Sequence, residues 1–278
     1  MANALERRLT RVVDHIHDNP TGDLSLDALA EVAAFSRFHF HRAYRAVTGE
    51  TAAQTVRRMR LHRAAVALVR TAQPLAQVAR DVGYPNLSSF ARAFTDAYGT
   101  PPAAFRARGE IRPVPPARKE PEVSMHTVEI RPEPARRLAA MSHTGPYHEI
   151  GRAFEKLSAV MAARGLFAQS GFMVAVYYDD PATVAPDALH SHAAFEVLGD
   201  AVLAPPLGTV LLPEGRAAVL TYTGPYAGLP AAWNQLYGDW LAASGETPAD
   251  VPAFEVYLNS PMGTAPEALV TEIHLPLR

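Results

Sequence analysis

The chain has 278 residues, 48% of them hydrophobic and 19% charged, with a formal net charge of −2 and no cysteine. That length suffices for two domains, each with its own core, and the absence of cysteine excludes disulfides, thiolate catalysis and thiolate-ligated zinc. The near-neutral total hides a division: the first 110 residues carry 15 arginines against 10 acidic residues, and the remainder 11 basic residues against 18 acidic ones. A basic half suits a polyanion and an acidic half repels one. The N-terminal stretch is polar and arginine-bearing from Glu6, and no apolar run reaches membrane-spanning length, which predicts a soluble, cytoplasmic protein without membrane association.

In chain order, Leu5, Leu9, Val12 and Ile16 recur at helical spacing and predict an amphipathic opening helix over 4–17. Ser25 predicts the N-cap of a second helix carrying Leu26, Leu29, Ala30 and Ala33. A third helix is expected over 36–47. A long fourth is expected from Ala52 to about Thr71, with Val56, Met59, Ala64 and Leu68 inward and Arg57, Arg58, Arg60 and Arg63 outward. Residues 79–106 hold the plainest pattern. A short apolar helix (Leu75, Val78, Ala79, Val82) runs into Gly83, where a left-handed turn is wanted. A further helix then starts near Asn86–Ser88, with Phe90, Phe94 and Ala97 on one face.

Helix, glycine turn and polar-faced helix make a helix-turn-helix, whose second helix enters a DNA major groove. The pattern occurs twice. Residues 30–36 answer 79–85, and Phe40, Arg42 and Tyr44, followed by Gly49, answer Phe90, Arg92 and Phe94, followed by Gly99, at an offset of 50. Two units in tandem predict an all-α double helix-turn-helix domain over residues 1–109. Facing away from its core are Arg37, Phe38, His41 and Arg42 in the first unit, and Asn86, Leu87, Ser88, Ser89 and Arg92 in the second. Arginine suits guanine edges or phosphate, and short polar groups suit mixed contacts. The competing reading is a merely solvated helical surface. Phe38 speaks against it, because a phenyl ring gains nothing from water but can use thymine methyls and sugars.

Residues 109–123 read GEIRPVPPARKEPEV, with four prolines and little to bury, which predicts a semi-stiff linker over 110–123. Beyond it, 124–278 contains a second internal repeat. Residues 138–147 match 217–226, each ending in Thr-Gly-Pro-Tyr; the stripe Ile150, Phe154, Leu157 and Met161 matches Leu229, Trp233, Leu236 and Trp240; Val176-Tyr177 matches Val256-Tyr257. Each half reads as strand, Gly-Pro turn, helix and two further strands, and the two are expected to pair about a pseudo-twofold axis into one α+β domain with a ligand groove at the seam.

In residues 253–258 the alternation is expected to turn Phe254, Val256 and Leu258 toward the helices, and Glu255 and Tyr257 toward the opposite face. If that face lines the seam, Glu255 sits among Tyr147, Tyr177, Tyr226 and Tyr257, an anion among rings suited to a lipophilic cation. The alternative is a strand carboxylate facing water, and Glu272 and, less so, Glu196 share the ambiguity. His15/His17 and His39/His41 diverge on a helix, and His190/His192 lack a third ligand nearby, so no metal or cofactor is expected. Nothing matches a phosphate loop or nucleophile elbow, so no catalytic residue is assigned.

Through Gly83-Tyr84, Ser89-Phe90-x-Arg92-x-Phe94, Gly99, Pro101-Pro102 and Phe105-Arg106, residues 5–108 resemble the AraC-type DNA-binding domain. Through the doubled Thr-Gly-Pro-Tyr, Phe254-Glu255-x-Tyr257 and Thr271-Glu272-Ile273-x-Leu275-Pro276, residues 124–278 resemble the GyrI-like effector-binding domain, and the domain order resembles the Rob type of regulator. The resemblance implies a ligand-responsive transcriptional regulator, not an enzyme, whose C-terminal groove binds lipophilic, often cationic compounds with Glu255 as anchor. It implies double-stranded DNA, a small-molecule effector and RNA polymerase as partners. Its DNA contacts fall on Arg37, Phe38, His41 and Arg42, then Leu87, Ser88, Ser89 and Arg92; Leu87 stands where a polar residue is frequent in the family. The alternative it implies is a hydrolase of strained electrophilic natural products, using Glu255 and Tyr257 to activate water.

Overall fold

The structure is a computed structural model that describes residues 4–19, 21–109, 126–261 and 263–278; the linker expected at 110–123 lies outside them. By contact the chain falls into two units, Met1–Ala34 with Thr48–Glu120, and Phe35–Val47 with Pro121–Arg278. Among the described residues no helix is long and apolar enough to cross a membrane.

The helices in chain order are α1 (Ala4–Asp18), α2 (Leu26–Val32), α3 (Arg37–Thr48), α4 (Ala52–Arg70), α5 (Leu75–Asp81), α6 (Leu87–Tyr98) and α7 (Pro102–Arg108). All but α3 lie in the first unit. Leu5, Leu9, Val12 and Ile16 of α1 are buried, as their spacing predicts. Ser25 caps α2 by accepting from the Ala28 amide, and Thr51 and Gln54 cap α4 reciprocally. The core of the second helix-turn-helix joins Leu61, Ala64 and Leu68 of α4 to Val78 of α5, Phe90 and Phe94 of α6, and Phe105 of α7. Asn86 caps α6 through the Ser89 amide at 2.8 Å. The turn before it is made by Gly83 at φ +81°, and a Cβ there would lie 3.0 Å from the Arg60 guanidinium carbon. The matching residue of the first helix-turn-helix is Ala34, held at φ +54°.

The second unit carries an eight-stranded antiparallel sheet, β1 (Val128–Glu133), β2 (Arg136–Thr144), β3 (Ser170–Tyr177), β4 (His190–Val197), β5 (Gly208–Leu212), β6 (Gly215–Thr223), β7 (Ala253–Tyr257) and β8 (Val270–Leu277). Helix α8 (Gly151–Ala163) follows β2; after β6 come α9 (Leu229–Asn234), a π-helical stretch (Gln235–Trp240) and α10 (Leu241–Ser244). The strand order is β1-β6-β8-β7-β3-β4-β2-β5. Exchanging β1–β4 with β5–β8 returns the same order, with β3 and β7 as the central pair. Their register sets Ala175 opposite Glu255, Tyr177 opposite Ala253, and Met173 opposite Tyr257.

The two sheet faces are the reverse of the alternation reading. Tyr177 and Tyr257 share a core with Ala153, Leu157 and Met161 of α8, so the helices lie on the Glu255 side. Phe254 and Val256 belong to the other face, with Val174, Val176 and Leu138. All five residues of β7 are buried, so a contrast of polar and apolar positions could not tell which side the helices cover. Leu258 falls beyond β7 and is 39% exposed. Glu272 and Glu196 share the face away from Glu255, in an ionic network: Arg131 pairs with Glu272 at 2.7 Å, and Arg136 with Glu133 at 2.7 Å and Glu196 at 3.1 Å.

Candidate functional site

The site is built on the central strand pair. Small residues, Ala175 and Ala253, stand across from Glu255 and Tyr177, which leaves room above the sheet for two tyrosine rings to lean together. Their hydroxyl oxygens lie 3.3 Å apart. Tyr177 donates to Glu255 Oε2 at 2.8 Å and Tyr257 donates to the same oxygen at 2.7 Å. The indole N–H of Trp233 donates to Oε1 at 2.7 Å. Each carboxylate oxygen thus has a donor, and Glu255 is 2% exposed. Burial pushes its carboxyl above the ordinary range, against the pull of Tyr257, Trp233 and Tyr177 and of the Arg42 charge. The Tyr177 and Tyr257 hydroxyls, buried beside that carboxylate, are raised well above theirs. Both stay donors at neutral pH.

Aromatic walls rise on either side in matching pairs. Phe154 meets Tyr257 edge-on at 5.7 Å, and Trp233, its counterpart in the repeat, meets Tyr177 edge-on at 6.0 Å. Tyr147 lies 4.8 Å from Tyr177, and Tyr226 lies 5.5 Å from Tyr257. The Tyr147 hydroxyl sits 2.8 Å from the Asp179 carbonyl oxygen and accepts the Asp179 amide at 2.9 Å; burial pushes it up to about 12. The correspondence between the repeats ends at the anion, because the counterpart of Glu255 at the 80-residue offset is Ala175. All five residues expected in the groove, Glu255, Tyr257, Tyr147, Tyr226 and Tyr177, come together here. Trp233 was legible only as one position of an apolar stripe, yet it supplies a wall and the third hydrogen bond.

Of the residues expected at DNA, Leu87, Ser88 and Arg92 are exposed and Ser89 half-buried on α6. On α3, Arg37 is exposed while Phe38, His41 and Arg42 are half-buried. Within the second unit Phe38 meets Tyr178 at 6.5 Å, and Arg42 lies over Trp233. His39, set aside as a metal ligand, is fully buried and bonded to Tyr237 and to the Val251 carbonyl. No sequence pattern links positions so far apart. Among the described residues no group of three or more His, Cys, Asp or Glu could hold a metal ion.

A sheet with an anion buried among rings, in a chain that also carries paired helix-turn-helix motifs, defines a small-molecule-binding domain joined to a domain of the regulator type. Residues 126–278 match the GyrI-like small molecule binding domain and residues 29–108 a helix-turn-helix domain. The chain belongs to the GyrI-like family and bears an AraC-type helix-turn-helix domain ahead of that fold. It is 36% identical over 87 residues to the transcriptional regulator Rob of Salmonella typhimurium, a match covering 31% of this chain and 30% of Rob. To the regulatory protein SoxS of the same organism it is 30% identical over 97 residues, 35% of this chain and 91% of SoxS. The crystal structure of the EcmrR C-terminal domain superposes at a TM-score of 0.45 with 16% identity, covering 56% of this chain and 99% of that one.

Proposed function

We propose that this chain is a ligand-responsive, DNA-binding transcriptional regulator whose C-terminal groove takes lipophilic cations. Its DNA-reading domain is residues 1–109 and its effector domain residues 124–278, the latter built of two modules related by a pseudo-twofold axis. Double-stranded DNA is read by Arg37, Phe38, His41 and Arg42 of α3 and by Leu87, Ser88, Ser89 and Arg92 of α6, and RNA polymerase is the partner on the promoter.

The observation that carries the reading is Glu255. A carboxylate held dry is costly when empty, and here it is framed by rings whose faces attract cations, each contact contributing on the order of 1 kcal/mol. Tyr147, Tyr177, Tyr226 and Tyr257 are the binding walls. Glu255→Gln keeps the shape and removes the charge. Titrated by calorimetry with naphthylguanidinium and its neutral isostere naphthylurea, the variant is expected to lose at least about tenfold, or about 1.4 kcal/mol, for the cation only. Equal losses for both ligands would make Glu255 a structural residue and end the proposal.

A second reading is favoured by one feature, the raised Glu255 carboxyl beside the Tyr257 hydroxyl: a base of that kind activates water against a strained electrophile. Product formed from such a compound, and abolished in Glu255→Gln, would favour it.

A further inference from the structure

The aromatic cluster around Glu255 already holds a cation from its own chain. Within the second unit, the Arg42 guanidinium carbon lies 4.3 Å from the centre of the Trp233 ring and 5.7 Å from that of Tyr237. Arg42 Nη2 donates to the Asp179 carbonyl at 3.2 Å. Trp233 in turn donates its indole N–H to Glu255. A planar cation over an indole, a donor on a carbonyl and an anion one ring away are the contacts that an incoming lipophilic cation would want.

Other side chains hold α3 in place. The Val251 carbonyl can only accept, so His39 Nε2 carries the hydrogen at 2.9 Å and Nδ1 accepts from the Tyr237 hydroxyl at 2.7 Å. Burial, then the neighbouring Arg42 charge, hold the His39 ring neutral, down at about 3. Phe38 lies edge-on against Tyr178. Two of the four α3 residues proposed to read DNA are thereby engaged elsewhere.

We infer that Arg42 is the groove's resident occupant, and that the effector is a planar, delocalised cation with an N–H donor which displaces Arg42 and releases α3 for DNA. This rests on the reading of the groove as a cation site. One helix face cannot lie against Trp233 and in a major groove at once, so effector and DNA favour the same released state and strengthen each other. A competitor tethered on the same chain acts at high effective concentration, and the effector's apparent affinity falls by the fraction of molecules in which the site is open.

The test uses the full chain and naphthylguanidinium, with naphthylurea as neutral control. Arg42→Ala is expected to bind naphthylguanidinium at least tenfold more tightly than the wild type. An independent arm exploits the absence of cysteine: in Phe38→Cys the single thiol is expected to react with a maleimide at least tenfold faster once the cation saturates the groove, and at an unchanged rate with naphthylurea. Tighter binding by Arg42→Ala with an unchanged labelling rate would reduce Arg42 to a repelling charge and overturn the inference. So would equal affinity of wild type and Arg42→Ala, although the groove reading would survive. No binding to either protein would overturn both.

Discussion

His274 is 3% exposed, and each of its ring nitrogens faces a carboxylate, Glu133 at 2.7 Å and Glu272 at 3.2 Å. Both can be satisfied only by an imidazolium. Burial alone would lower the His274 ring, but the two carboxylates prevail and raise it above 6.5. Glu272 is held down to about 2, by the His274 hydrogen bond first and then Arg131, against burial. For Glu133 burial works upward, and His274 and Arg136 together bring it below 4.5. The depressed carboxyls stabilise the fold above about pH 4.5 and lose that effect as pH falls through their folded values; the raised histidine stabilises below about pH 6.5 and loses its effect as pH rises through its own. Stability of the second unit is therefore expected to be greatest between those values. His274→Gln should cost about 3 kcal/mol at pH 6 and flatten the alkaline decline. Denaturant midpoints across pH 3–9 check it, and parallel alkaline limbs for wild type and variant would rule the network out. At this scale the four tyrosines were legible because they recur at matching repeat positions, whereas Glu255, whose counterpart is Ala175, stood out only as a carboxylate within an apolar strand. Glu272 was ambiguous because its partners, Arg131 and His274, come from β1 and from its own strand two residues on, and ion pairs leave no periodic trace.

Helices were the most legible elements, since their apolar positions recur at a fixed period and their ends carry Ser25, Asn86, Gly83 and Gly99 as punctuation. β7 was legible as a strand but not in its facing. A strand buried on both sides shows no contrast, and only the packing of α8 decides which side is covered. The π-helical stretch at Gln235–Trp240 also left no mark, for it differs from an α-helix only in hydrogen-bond spacing. The two helix-turn-helix turns offer a test at this scale. Gly83 takes φ +81° without strain, whereas Ala34 takes φ +54° against the crowding of its Cβ, at about 1 kcal/mol. Ala34→Gly is expected to be neutral or to stabilise by up to about 1 kcal/mol, after the extra freedom of glycine in the unfolded chain. Gly83→Ala is expected to cost about 1–2 kcal/mol and to push the Arg60 side chain aside. Midpoint shifts in urea measure both, and a loss in Ala34→Gly as large as that in Gly83→Ala would show that the Ala34 turn is not strained.

For the whole molecule, the split of charge, the two internal repeats and the two family matches each divide the chain into the same two parts, which the proposed function assigns to a polyanion and to a small molecule. What no sequence pattern carried is where α3 packs, because within the second unit it meets Tyr178, Trp233, Tyr237 and Val251 across long separations in the chain. Under the proposed function α3 couples the two tasks, so a cation that enters beside Glu255 must change how the chain holds DNA. The most direct measurement is the affinity of the full chain for a duplex enriched from a random-sequence pool, with and without saturating naphthylguanidinium, in wild type and Glu255→Gln. The account predicts at least tenfold tighter DNA binding with the cation in the wild type and no change in the variant. DNA affinity indifferent to the cation in the wild type, or an equal gain in Glu255→Gln, would contradict it.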